Sequence, residues 1–124
     1  MELFQINHIA VHVRDLKMSV DFYNNVLKFP IIDRPDLGFE GAWLRVGLHQ
    51  EIHLIGGLKD LVNSDSRGNH FAFEIESINT AQEHLIKLNY PFREAKQRPD
   101  GAWQIFLKDP DGYVIEIYQR KNTK

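Results

Sequence analysis

The feature that most constrains this 124-residue chain is that it is written twice. "NHIAVHV" at 7–13 is answered by "NHFAFEI" at 69–75, and "LKFP" at 27–30 by "LNYP" at 88–91. "GAW" at 41–43 is answered by "GAW" at 101–103, and "IHLI" at 52–55 by "IEIY" at 115–118, at offsets of 60 to 63 residues. A repeat of this length is a supersecondary unit copied, and it sets the architecture before any single element is assigned. The expectation is one domain over 1–124 built from two modules, about 5–56 and about 69–119. The linker between them, about 57–68, is rich in Gly, Ser, Asp and Asn and needs no structure of its own.

Each copy reads as strand, helix and three strands. Ile9, Val11 and Val13 alternate with His8, Ala10 and His12, the period-2 pattern of a half-buried strand. A helix follows in "DLKMSVDFYNNVL", with Leu16, Val20, Tyr23 and Leu27 at helical spacing and Asp15 as N-cap. In the second copy Phe71, Phe73 and Ile75 face inward, and a helix begins near 78 with Asn79 as a possible cap and Ala81, Leu85 and Leu88 along it. Further strands are expected at about 31–34, 42–47, 51–56, 92–97, 102–108 and 113–119, with a tight turn in "DPDG" at 109–112. The fold class is α+β: two β-α-β-β-β modules, each curling into half of a barrel-like cleft.

Composition narrows the function classes. Lys and Arg are scattered among acids, so the basic stripe that nucleic-acid binding needs is missing. No apolar run approaches the roughly 20 residues of a membrane span, and "MELFQINHIAV" lacks the pattern of a signal peptide, so the default expectation is a cytoplasmic protein. With no cysteine, any metal site must use His, Asp or Glu.

The repeat places four such side chains at equivalent points: His8 with His70, and His53 with Glu116. Each alternates with apolar neighbours, so each faces away from the core and, in a half-barrel, into the hollow. Three imidazoles and a carboxylate suit a divalent ion of the Ni, Co, Zn, Fe or Mn type. Ala10 and Ala72 on the same face leave room for a small-molecule substrate. His12 lies farther along that face, lining the cleft or supporting a ligand. Trp43 and its repeat partner Trp103 are candidate cleft walls. Arg45, on the face of Trp43, is either a grip on a substrate carboxylate or phosphate or a surface arginine beside structural tryptophans. Glu51 and Glu74 are either solvated or carboxylates that orient a ligating histidine.

The paired modules with "HIAVHVRDLKMSVDFYNNVLKFP" and "DPDGYVIEIY" resemble the vicinal oxygen chelate superfamily over about residues 5 to 119. That superfamily includes glyoxalase I, methylmalonyl-CoA epimerase, extradiol dioxygenases and the fosfomycin and bleomycin resistance proteins. The resemblance implies metal ligands on the first and last strands of each module, here His8, His53, His70 and Glu116. It also implies a homodimer. Glyoxalase I typically has glutamate where His53 stands; histidine keeps four protein ligands and leaves two positions on an octahedral ion for vicinal substrate oxygens. The implied activity is a glyoxalase I-like lyase or isomerase that works through an enediolate or enolate, with Glu116 as the base. A sequestering protein of the bleomycin-resistance type and a fosfomycin-type thiol transferase are the alternatives.

Overall fold

Alternation of apolar and polar residues in "HIAVH" makes β1 (His8–His12) a strand with one wet face: Val11 is buried while His8, Ala10 and His12 are exposed. The computed structural model describes residues 1–121 and divides into two units, Met1–Asp60 and Leu61–Lys124. In the first, β1 is followed by α1 (Leu16–Asp21), β2 (Ile31–Ile32), β3 (Gly41–Val46) and β4 (Gln50–Ile55). These strands form one sheet in the order β1-β4-β3-β2, with β1 parallel to β4 and the other pairs antiparallel. Helix α1 packs on β3 and β4 over a core of Val11, Val13, Phe22, Tyr23, Leu44, Ile52 and Leu54.

Asp15 caps α1 as expected, its Oδ1 accepting from the Met18 amide at 3.1 Å. The apolar stripe differs from the expected one. Residues Phe22–Val26 form a π-helical turn, in which the Leu27 amide donates to the Phe22 carbonyl at 3.1 Å. Ser19, Phe22 and Tyr23, at helical spacing, form the buried stripe while Leu16 and Val20 stay partly exposed, and the extra residue of the π-helical turn offsets Leu27 after it, which is also partly exposed.

The second unit repeats the order with β5 (Phe71–Glu74), α2 (Ile78–Lys87), β6 (Phe92–Gln97), β7 (Trp103–Lys108) and β8 (Val114–Gln119). Its sheet runs β5-β8-β7-β6, again with the first pair parallel. The cap of α2 is Ser77, whose hydroxyl accepts from the Thr80 amide at 3.3 Å; Asn79 stands inside the helix. Ile78, Ala81 and Leu85 are buried, but Leu88 is 44% exposed because the chain leaves the helix there, through Asn89 at a φ of 54°. The 109–112 turn closes as expected: Gly112 has a φ of 93°, and Asp109 Oδ1 accepts from the Asp111 and Tyr113 amides, each at 2.9 Å. Residues 57–68 contain no helix or strand. They are anchored nonetheless, Leu58 by its amide on the Val13 carbonyl at 3.1 Å and Ser64 by accepting from the Val114 amide at 2.9 Å.

Candidate functional site

In the first unit the sheet register lines up the polar face. His53 pairs with Ala10 on one side and Trp43 on the other, while its neighbours Ile52 and Leu54 are buried. The His53 ring lies between two others: the Trp43 ring at 4.1 Å and 7°, and the His8 ring at 4.1 Å and 16°. Each histidine is fixed by one nitrogen. His53 Nε2 is 2.8 Å from Glu51 Oε1, and His8 Nδ1 is 2.8 Å from Asn7 Oδ1. These oxygens only accept, so the ring nitrogens donate, and the lone pairs are left on His53 Nδ1 and His8 Nε2. His12 is held the same way, Nε2 donating to the Gly56 carbonyl at 3.0 Å.

In the second unit both His70 ring nitrogens face oxygens that only accept, Nδ1 the Gly68 carbonyl at 3.1 Å and Nε2 the Glu116 carboxylate. That nitrogen stands 3.0 Å from Glu116 Oε1, and Gln104 Nε2 donates to Glu116 Oε2 at 3.0 Å. The Glu116 side chain is 7% exposed and that of His70 23%. The contact between Nε2 and Oε1 is a hydrogen bond, and its shared proton marks the place a metal ion takes when it displaces that proton. The pair therefore has the donor chemistry of a cation edge. Among the described residues no group of three or more His, Cys, Asp or Glu side chains is gathered closely enough to hold one ion. Each unit offers two donors of the expected set.

Several side chains fall elsewhere than the repeat suggested. Trp103 stands on the face of its sheet opposite Glu116, paired with Gln119, and it is Phe106 that pairs with Glu116. Phe106 is thus the register counterpart of Trp43, and its ring meets His70 edge-on at 5.9 Å and 74°. The two "GAW" triplets match in letters for unrelated reasons. At Gly41 a Cβ would sit 2.6 Å from the Leu54 carbonyl oxygen, whereas Gly101 closes a turn at a φ of 96°. Arg45 is exposed on the face of Trp43 and pairs in register with Glu51. Of the two candidate supporting carboxylates, Glu51 touches His53. Glu74 instead meets Arg120 at 2.9 Å, and that hydrogen bond holds its carboxyl below the usual range. Gln104 and Phe106 escaped sequence reasoning because a glutamine and a phenylalanine in a strand carry no signal until the register with β8 is known.

The chain is similar to known proteins over nearly its whole length. The model of the Glyoxalase/Bleomycin resistance protein/Dioxygenase superfamily matches residues 5–117. "Glyoxylase I 4" of Arabidopsis thaliana is 34% identical over 94% of this chain and 71% of its own. A lactoylglutathione lyase of Pseudomonas putida is 29% identical over 94% of this chain and 85% of its own. The crystal structure of a glyoxylase/bleomycin resistance protein/dioxygenase domain from Frankia sp. EAN1pec superposes with a TM-score of 0.82 at 23% identity, covering 99% of this chain and 96% of that one, and so supports the fold. With strand order, repeat and family model in agreement, this chain belongs to the glyoxalase/bleomycin resistance/dioxygenase superfamily, whose other name is the vicinal oxygen chelate superfamily.

Proposed function

We propose that this protein is a metal-dependent lyase or isomerase of the glyoxalase I type, acting on a small molecule with oxygens on adjacent carbons. The observation that carries the proposal is how the three histidines are held: His8 and His53 each have one ring nitrogen tied to an oxygen that only accepts, leaving the other as a lone pair, and His70 is held through Nδ1 by the Gly68 carbonyl with Nε2 on Glu116. Metal-binding histidines are prepared in this way, with the second nitrogen donating to a carboxylate or carbonyl. In this reading His8, His53, His70 and Glu116 are the candidate ligands for a divalent ion such as Ni, Co, Zn, Fe or Mn. When bound, such an ion supplies Lewis-acid polarisation of the substrate oxygens.

The chain's own part is proton transfer. Glu116 takes a proton from the hydroxyl-bearing carbon beside the substrate carbonyl, the electron pair moves to the carbonyl oxygen, and the resulting carboxyl returns the proton to the former carbonyl carbon while the hydroxyl proton passes to the neighbouring oxygen. The exchange is redox-neutral. Gln104 steadies Oε2 throughout and leaves Oε1 toward His70 as the working atom. Names of relatives that include lactoylglutathione lyase support this class. The protein is further proposed to work as a homodimer.

Metal content of untagged protein, measured by plasma mass spectrometry beside a His70→Ala control, tests the proposal. About one divalent ion per chain, lost in the control, is expected from a single four-ligand site. No ion after reconstitution would overturn the mechanism.

A further inference from the structure

Register partners run across the second sheet in one row: Arg93 with Phe106, Phe106 with Glu116, and Glu116 with Ala72. All four share a face, and two strand spacings put Arg93 about 10 Å from Glu116 along the sheet. The Arg93 guanidinium lies over the Phe106 ring at 4.5 Å, and that same ring meets His70. Beside this row opens a cleft of about 700 Å³, lined by Tyr90, Phe92, Arg93, Phe106 and Lys108 with Ser64–Ser66 at its rim. Its walls are largely apolar, and its cations are Arg93 and Lys108. The carboxylates nearby are committed to backbone: Asp65 accepts from the Arg67 amide, and Asp109 from the Asp111 and Tyr113 amides. Neither cleft cation forms an ion pair among the described residues. Burial, aided by Asp109, pushes the Tyr90 phenol up to about 12, so it stays neutral and adds no negative charge to the cleft.

We infer that this cleft binds the acidic end of the substrate, making Arg93 a specificity residue for small organic anions, carboxylates or phosphate monoesters, with a short apolar body. A guanidinium parked on an aromatic ring is preorganised for a planar anion, and an apolar wall strengthens that contact by excluding water. Lys108 adds a second charge at the register position that Arg45 holds in the first unit. The inference rests on the reading of Glu116 as the reactive carboxylate, because the row gives the distance between the acidic group and the reacting carbon.

The test uses metal-free, isotope-labelled protein, so that it does not depend on the metal. Amide shifts are followed by NMR during titration with 3-phenylpropanoate, phenyl phosphate and the neutral 3-phenylpropanamide. Expected are shifts centred on Arg93, Phe106 and Lys108 for either anion, at least roughly tenfold weaker binding of the amide, and a loss of roughly tenfold or more in Arg93→Gln that Arg93→Lys partly restores. Because Arg93 is exposed, its replacement leaves the core intact. Equal binding of acid and amide, no binding of either anion, or an unchanged affinity in Arg93→Gln would overturn the inference. A protein that binds metal but not the anions loses this subsite alone. One that binds the anions but no metal loses the proposed reaction and keeps the anion site.

Discussion

The two units build their polar faces from the same strand positions and reach different chemistry. In the first, His53 is clamped between two flat rings and tied to Glu51, so its orientation is set by stacking. In the second, the equivalent position holds Glu116, a nearly buried carboxylate set by Gln104 and His70 through hydrogen bonds. The core behind both is shared: Ile52 and Ile115 hold equivalent places and are each fully buried. A duplicated fold thus keeps its packing face while its polar face is free to diverge, because packing is constrained by volume on every side and the polar face only by what it binds.

The sharpest way to break this comparison is to remove the carboxylate that stands in the second unit where the first has His53. Glu116→Gln is expected to lower deuterium wash-in from D₂O into an α-hydroxy ketone panel by about 10²- to 10⁴-fold, the range for a lost general base. His53→Gln removes a proposed ligand and leaves the proposed base in place, so it should lower metal affinity first, with exchange recovering at saturating metal. Equal, metal-insensitive losses in the two variants would mean that His53 and Glu116 do not differ in role.

The core makes the opposite forecast. Ile52→Ala and Ile115→Ala should each cost about 2–5 kcal/mol in urea unfolding, and by similar amounts, since each deletes methylene groups from an equally closed site. A clear difference between them would show that the packing has diverged along with the site. Less costly still is the loss of the carboxylate behind His53. Glu51→Ala frees the Nε2 proton and should weaken metal affinity by about 10- to 100-fold in a chelator competition, with little effect on the fold.

The order of elements along the chain, both helices and the faces of His8, His53, His70 and Glu116 were legible in the sequence because each depends on a local period: two residues in strands, three to four in helices. What depended on register was not. Trp103 was matched to Trp43 by letters, but the turn before β7 shifts the pairing, and Phe106 comes to face Glu116. The π-helical turn was hidden for a related reason, since one inserted residue offsets the positions after it without changing composition. The cap of α2 moved to Ser77 because a cap is chosen by where the chain enters the helix, and Ser77 has the extended backbone that entry requires. Arg93 gained significance only through the ring beneath it, a contact across strands that no spacing in the sequence encodes.

The smallest expected effect isolates backbone from side chain at a matched pair. In "LKFP" and "LNYP" the second residue leaves its helix in the left-handed region in both units, Lys28 at a φ of 65° and Asn89 at 54°. Closing amide bonds follow in each, from Phe29 to the Tyr23 carbonyl and from Tyr90 to the Leu85 carbonyl, both at 3.0 Å, so both positions are held in place by the same device. Asparagine tolerates this conformation better than lysine, whose Cβ crowds the following carbonyl without a compensating local hydrogen bond. Lys28→Asn should therefore stabilise the protein by about 0.5 kcal/mol, and Asn89→Lys should destabilise it by a similar amount, as read from paired urea midpoints. The side chain of Lys28 is exposed, so no packing loss offsets the gain. If Lys28→Asn were destabilising, the lysine would be contributing a contact that outweighs its backbone strain, and the two helix ends would be alike in φ but not in what holds them there.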